Sequence, residues 1–380
     1  MTFLKLLTVQ NKNIQNYLVP KLELECGDVL EDVELAYTTY GKLSDSRDNA
    51  ILIFHALTGS HLLSGKYERF DDKNLPWNEE LEIGWWDEFV GSGKMVDTDK
   101  YFVICVNYLG GCYGSTGPNS IDKITNNIYG DSFPQITFKD IENSQKLVCD
   151  MLGVKSLHAV AGASIGGLMA LEFAINYPKY VDKIISISSS HKVSTIQLLH
   201  NLEQAYILDL AKDSNSRQEE YLSLARMVAH KTYISLDLLS ERAKAESKYI
   251  DNEMGYFLKT PQESYMMHQG EKFIERFNAD SYRTIINAWQ NFKIDEKDIK
   301  KLNGKEVLVL SVDSDVCFYP EEQTELVDIL ELNDVCVNYS LLHSDKGHDA
   351  FLLEPDIFFD PIATYPVSYT HLTLPTKRIV

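Results

Sequence analysis

Gly162-Ala163-Ser164-Ile165-Gly166 is a G-x-S-x-G pentapeptide, and its flanks give it chemical meaning. The apolar run Leu157–Gly162 precedes it and the helical pattern from Gly167 to Ala174 comes after it. A strand turning this sharply into a helix crowds the residues around the serine, so small residues must flank it. The turn would expose the Ser164 hydroxyl at the end of a sheet, in the positive potential of a helix N-terminus. A serine hydroxyl is a weak nucleophile until a base takes its proton. Ten histidines compete for that task. His348 lies just after the last apolar run, Cys336–Leu342, and is the predicted base. His343 ends that run and is expected to pack or to face solvent. His55, before a turn, suits the oxyanion region better. The third member must orient the imidazole and stabilise its cation. In the chain order Ser…Asp…His it falls in Ser311–Asp315, which offers both Asp313 and Asp315. Residue types and spacing leave the choice between the two open.

These side chains need elements to position them. Ile51–His55, Tyr101–Asn107, Leu157–Gly162, Lys183–Ser188, Glu306–Val312 and Cys336–Leu342 read as short buried strands. The helical stretches Phe138–Leu152 and Gly167–Tyr177 separate some of them. Continuous apolar strands alternating with helices predict an α/β fold, with a mostly parallel sheet covered by helices on both faces. Val33–Tyr40 alternates and is expected at an antiparallel edge. From about 190 to 300 the chain is rich in Leu, Ala, Glu, Lys and Gln, with no strand-like run. The expected organisation is a core of residues 1–190 and 301–366, a helical lid of residues 191–300, and a non-native tail of residues 367–380. That tail carries no periodic pattern, its opening matches a reading frame of a sequencing adapter, and it is set aside from fold reasoning. The C-terminal helix is expected to be cut short near Tyr365.

Composition narrows the function. A formal charge of −20 over 380 residues repels polyanions and argues against a nucleic-acid partner. The six cysteines form no CxxC pair, and no cluster at metal-ligand spacing appears. No run of 18 apolar residues and no cleavable leader pattern is visible, so a cytoplasmic protein without a membrane span is expected.

The chain up to the tail resembles the homoserine O-acetyltransferase family of the α/β-hydrolase fold. The resemblance rests on Tyr37–Leu43 (YTTYGKL), His55–Gly59 (HALTG), Gly84–Asp87 (GWWD), Asp97–Cys105, Gly110–Pro118 (GGCYGSTGP), Leu224–Tyr233 and Gly347–Leu352. G-x-S-x-G is common to many hydrolases, whereas the GGCYGSTGP run and the segment from Arg226 to Tyr233 are far more specific. By this resemblance Ser314-Asp315-Val316-Cys317-Phe318 matches the family's Ser-Asp-x-x-Phe, which selects Asp315 as the acid. The family's elbow commonly reads G-G-S-M-G, so Ala163 and Ile165 depart from it and reshape the acyl pocket slightly. The resemblance implies an acetyl-serine intermediate formed from acetyl-CoA and passed to L-homoserine, with acetyl-CoA as co-substrate and no further cofactor. It also implies an oxyanion hole from the backbone amides of Leu57 and Ile165. Arg226, with Tyr233 beside it, would take the homoserine carboxylate and Asp349 the ammonium. Seven residues apart on one helix, Arg226 and Tyr233 would face the same cavity. A homodimer built by lid helices is expected as well. A succinyltransferase, a serine acyltransferase and a plain esterase share the triad and remain alternatives.

Overall fold

A computed structural model describes residues 14–69, 75–210, 217–246 and 260–365. The expected tail, 367–380, and the first thirteen residues lie outside them. Eight strands form the main sheet: β1 (Ile14–Glu23), β2 (Val29–Tyr40), β3 (Ala50–Phe54), β4 (Phe102–Val106), β5 (Leu157–Ala163), β6 (Val181–Ile187), β7 (Glu306–Val312) and β8 (Cys336–Leu342). Their order is β1-β2-β4-β3-β5-β6-β7-β8. β1 and β2 pair antiparallel, as do β2 and β4, and the rest of the sheet is parallel.

The apolar character of β3 results from its place. Ala50, Leu52 and Phe54 enter one core layer, while Ile51 and Ile53 enter the layer on the opposite face. Alternation sends neighbouring residues to opposite faces, so a strand covered on both sides must be apolar throughout. β1 was not anticipated. Its half-exposed pattern, with only Val19 and Leu22 buried, is that of a polar edge strand.

Helix α1 (Phe138–Met151) opens on a capping box in which the Thr137 side chain and Asp140 satisfy each other's backbone amides. Helix α2 (Ile165–Asn176) is buried along most of its length. The stretch after β6 is helical among its described residues: α3 (Thr195–Leu210), α4 (Gln218–His230), α5 (Leu236–Glu246), α6 (Pro261–Ile274), α7 (Ala279–Gln290) and α8 (Glu296–Ile299). α4 packs on α3 and α6, and α3 packs on α7. A bridge between Lys192 and Lys293 joins the two ends of this stretch. The chain then returns to β7, α9 (Pro320–Leu332) and β8, and ends its described part with α10 (Ala350–Leu353) and α11 (Asp356–Thr364).

Phe358 and Ile362 of α11, and Tyr365 just beyond it, are buried in the layer that holds Trp86 and Phe89. Lys183 of β6 donates to the Tyr365 carbonyl (3.0 Å) and pairs with Glu306 (3.2 Å). The segment beyond β8 thus packs against the sheet as a helix up to Thr364. Among the described residues no helix is long and apolar enough to cross a membrane.

Candidate active site

β5 ends at Ala163 and α2 begins at Ile165, so Ser164 alone makes the turn between them. Its backbone has φ 59° and ψ −131°, in the region that non-glycine residues avoid. Such a conformation costs on the order of 1–3 kcal/mol and persists only where its surroundings hold it. Three hydrogen bonds do so: Ser164 N–H to the Ile187 carbonyl (3.0 Å), and the Gly167 amide (2.9 Å) and Ser189 hydroxyl (2.7 Å) to the Ser164 carbonyl. The glycines answer to space. A Cβ on Gly162 would lie 2.1 Å from the Gly166 carbonyl oxygen, and one on Gly166 2.3 Å from that of Phe54. The Ile165 amide, first in α2, has no intrahelical acceptor available to it.

His348 sits in a single helical turn, Gly347–Asp349, directly before α10. Its Nδ1 meets Asp315 Oδ2 at 2.7 Å. The other oxygen, Asp315 Oδ1, accepts from the amides of Cys317 (2.8 Å) and Phe318 (2.9 Å), which fixes the carboxylate. The pairing places the imidazole proton on Nδ1 and leaves Nε2 as the proton acceptor. Phe318 stacks on the imidazole (5.4 Å, 20°) and Trp289 stacks on Phe318 (5.9 Å, 12°), so a column of rings sets its plane. Burial alone would lower the His348 pKa. The charge and hydrogen bond of Asp315, with the charge of Asp349, outweigh it and hold the imidazole above its usual value. Asp313 is engaged elsewhere: its carboxylate meets exposed His343 at 2.6 Å and accepts from the Ser344 amide (3.1 Å).

Ser164 and His348 line one cavity with Leu57, Arg226, Tyr233 and Asp349. The Arg226 guanidinium lies between two rings, 4.9 Å from the centroid of Tyr233 and 4.8 Å from that of Phe273. Its Nε is buried without a hydrogen-bond partner. Burial raises the Asp349 pKa against the opposing pull of His348, Arg226 and Arg242. Its side chain does not cap α10. Cation and carboxyl group thus both face the cavity that Ser164 opens into.

One expectation about this cavity needs correcting. Tyr233 does not share a helix with Arg226, because α4 stops at His230. A tight turn comes next, with the Thr232 amide on Ala229 (3.0 Å) and the Tyr233 amide on His230 (3.2 Å). The Tyr233 carbonyl then accepts from the Asp349 amide (2.8 Å), a bond that requires the chain to leave the helix.

Arg276, Trp289 and Cys317 also line the cavity, and sequence reasoning passed over all three. Arg276 and Trp289 stand within the helical stretch, where nothing in their spacing points at Ser164. Cys317 lay inside the matched Ser-Asp-x-x-Phe run, and that was a usable signal. His55, just past β3, is buried and stacked on Tyr108 (3.6 Å, 20°), with Nδ1 2.8 Å from the Ala56 carbonyl. Burial lowers its pKa to about 3, so it is a neutral scaffold for the loop that carries Leu57.

A mostly parallel sheet in this order, a serine on a strained strand-to-helix turn and a histidine–aspartate pair after the last two strands define the α/β-hydrolase fold. Residues 49–355 match the family model of that fold. The chain also belongs to the homoserine O-acetyltransferase family. It is 37% identical over 372 residues to the homoserine O-acetyltransferase of Pelagibacter ubique, covering 93% of this chain and 97% of that one. Against that of Methanococcus vannielii it is 37% identical over 362 residues, 91% of this chain and 71% of the relative. Among solved structures, an esterase superposes with a TM-score of 0.83 at 22% identity, over 93% of this chain and 99% of that one. A homoserine O-acetyltransferase from Bacillus anthracis superposes at 0.81 with 24% identity, over 93% and 97%. At such identities the structural likenesses speak for the fold alone.

Proposed function

We propose that this protein transfers the acetyl group of acetyl-CoA to the hydroxyl of L-homoserine through an acetyl-serine intermediate. The observation that carries the reading beyond family membership is the presence of both Arg226, with its unpartnered buried Nε, and Asp349 in the lining of the cavity that holds Ser164. A hydrolase needs the triad but no such pair, whereas a zwitterionic acceptor needs one fixed cation and one fixed anion.

In the first half-reaction His348 Nε2 takes the Ser164 proton as Oγ attacks the thioester carbonyl. The tetrahedral intermediate places its oxyanion at the amides of Leu57 and Ile165. It collapses with cleavage of the C–S bond, and His348 returns the proton to the CoA thiolate. In the second, Arg226 holds the homoserine carboxylate, Tyr233 packs beside it and Asp349 takes the ammonium. His348 removes the hydroxyl proton, the acceptor oxygen attacks the acetyl carbonyl, and Ser164 regains its proton as its ester bond breaks. Holding the acceptor in place, under helices that limit water, is what makes transfer outrun hydrolysis.

The partner and compartment readings have their own supports. Leu199, Leu202, Tyr206 and Leu210 form an exposed apolar stripe along α3, which a second copy of the chain would cover. All six cysteines are free thiols, which suits the reducing cytoplasm.

The test is CoA release from acetyl-CoA or succinyl-CoA with homoserine, serine or no acceptor. Acetyl-CoA with homoserine is expected to be the fastest pair by far. Ser164→Ala should abolish turnover, by on the order of 10³-fold or more, in a protein that melts normally. A faster succinyl donor, a faster serine acceptor, or equal CoA release without acceptor would each replace this reading with the corresponding rival.

A further inference from the structure

Arg276 stands at the junction of α6 and α7, where the lid reaches the loop after β3. Its Nη1 donates to the Thr58 carbonyl (3.0 Å) and its Nε to Glu80 Oε2 (2.6 Å). The second Glu80 oxygen pairs with Lys272 of α6 (2.8 Å). The Arg276 carbonyl in turn accepts from the Tyr113 hydroxyl, and its guanidinium lies 5.2 Å from the Phe273 ring centroid. The Arg276 side chain is therefore committed to the scaffold through Nη1 and Nε, and it shares the Glu80 carboxylate with Lys272. Arg226, by contrast, has a nitrogen to spare. Two arginines face one cavity with different chemistry open to them: Arg226 can receive an anion, while Arg276 is a strut.

What the strut holds is the turn Ala56-Leu57-Thr58-Gly59, closed by the Gly59 amide on the Ala56 carbonyl (2.9 Å). Leu57 and Thr58 are the two central residues of that turn. The Leu57 amide shares its peptide plane with the Ala56 carbonyl that Gly59 holds. Arg276 fixes the far end of the same turn through the Thr58 carbonyl, so displacement of the turn as a unit works against the guanidinium. Glu80 lies ahead of β4, on the core side of the chain, while Lys272 and Arg276 come from the lid. The clasp therefore joins the two parts at the point where the oxyanion amide is presented.

We propose that Arg276 is a positioning residue that holds the Leu57 amide in oxyanion geometry and ties it to the lid. The proposal rests on the assignment of Leu57 as an oxyanion donor made above. An oxyanion donor acts in every acyl step, so a strut for it must affect acylation by any acyl donor. A residue that binds homoserine affects only the second half-reaction.

The experiment compares the parent chain with Arg276→Ala, Arg276→Lys, Glu80→Gln and Arg226→Lys. It measures acylation of Ser164 by p-nitrophenyl acetate, burst release of CoA from acetyl-CoA, and the KM for homoserine. Arg276→Ala is expected to slow acylation by both donors by roughly 10²–10³-fold, the scale of losing one oxyanion donor. Its KM for homoserine should stay within about twofold and the acid limb of its pH profile should not move. Added guanidinium ion should restore part of the acylation rate. Arg276→Lys and Glu80→Gln should show the same pattern more weakly, which keeps the test decisive if Arg276→Ala does not fold. Arg226→Lys should show the opposite split, with its main effect on the KM for homoserine. Parent-like acylation in all three clasp variants overturns the proposal, as does a change confined to the KM for homoserine. The ester readout does not depend on the natural substrates. A parent chain that is acylated by the ester yet transfers nothing to homoserine would defeat the functional reading and leave Arg276 testable.

Discussion

Asp313 and Asp315 lie two residues apart on one loop and do different work. Asp313 spends its carboxylate on an exposed histidine, whereas Asp315 is buried, takes two amides and meets His348. Asp315→Asn is therefore expected to cut turnover by roughly 10²–10⁴-fold. Asp313→Asn should leave turnover near that of the parent. Steady-state rates decide it, and equal losses would move the acid's role to Asp313 or to neither.

His348 must be neutral to act as a base, and Asp315 holds its pKa above the usual 6.5. The acid limb of kcat/KM should therefore have its midpoint above 6.5, falling in residual Asp315→Asn activity. Folding obeys the same sign: the shift favours the native chain while the imidazolium is populated, and that contribution is lost as pH rises through the raised value. Arg226→Lys keeps the charge but loses the fork. The homoserine half-reaction should fall by about 10–100-fold, the equivalent of 1.5–3 kcal/mol for hydrogen bonds to a charged group. The CoA burst without acceptor should survive. Loss of the burst would place Arg226 on the donor side or in the scaffold.

At the scale of elements, α1 and α2 meet through the buried carboxyl group of Glu142 and the half-buried one of Glu172. Burial, and the neighbouring Glu172, push Glu142 well above the ordinary carboxylate range, and burial raises Glu172 too. Asn176 donates to Glu142 (2.9 Å). A carboxyl group whose folded pKa is raised supports folding at low pH and loses that support as pH climbs through the raised value. Glu142→Gln removes the charge while keeping the shape. It is expected to raise the melting temperature at pH 8 by about 2–4 °C, the scale of roughly 1 kcal/mol, and to change it little at pH 5. Equal shifts at both pH values would show that the pair never ionises in that range.

β5 and β7 were legible because burial on both faces makes them continuously apolar, whereas β8, read as buried, is a half-exposed edge strand that its apolar residues still betrayed. The elbow was legible because its glycines answer to backbone contacts that any such turn imposes. β1 was not, since an edge strand buried at only two positions has no apolar run to read. Tyr233 was misplaced because helix periodicity carries no sign of a partner amide, that of Asp349, far along the chain that draws it out of its helix. The choice of Asp315 over Asp313 came from resemblance, since both sit at the end of the same strand. Arg276 was invisible for a related reason: Thr58, Glu80 and Arg276 come together only when the lid folds onto the core.

For the whole molecule, α3 leaves an apolar stripe open on the surface, with Leu202 58% and Tyr206 63% exposed. If a second copy covers it, Leu202→Glu should shift the protein toward a monomer in light scattering at micromolar concentration while the ester acylation rate holds. A parent chain that is already monomeric at that concentration would end the dimer proposal. The Lys183 contact with Tyr365 bears on practical handling. Lys183 is the third residue of β6, near the start of that strand, whereas Ser164 stands past the far end of β5. A surface linker or fluorescent label grafted just after Tyr365 would therefore hang from the end of the parallel strands opposite the cavity, and an immobilised enzyme tethered there would keep its mouth turned to the bulk solution.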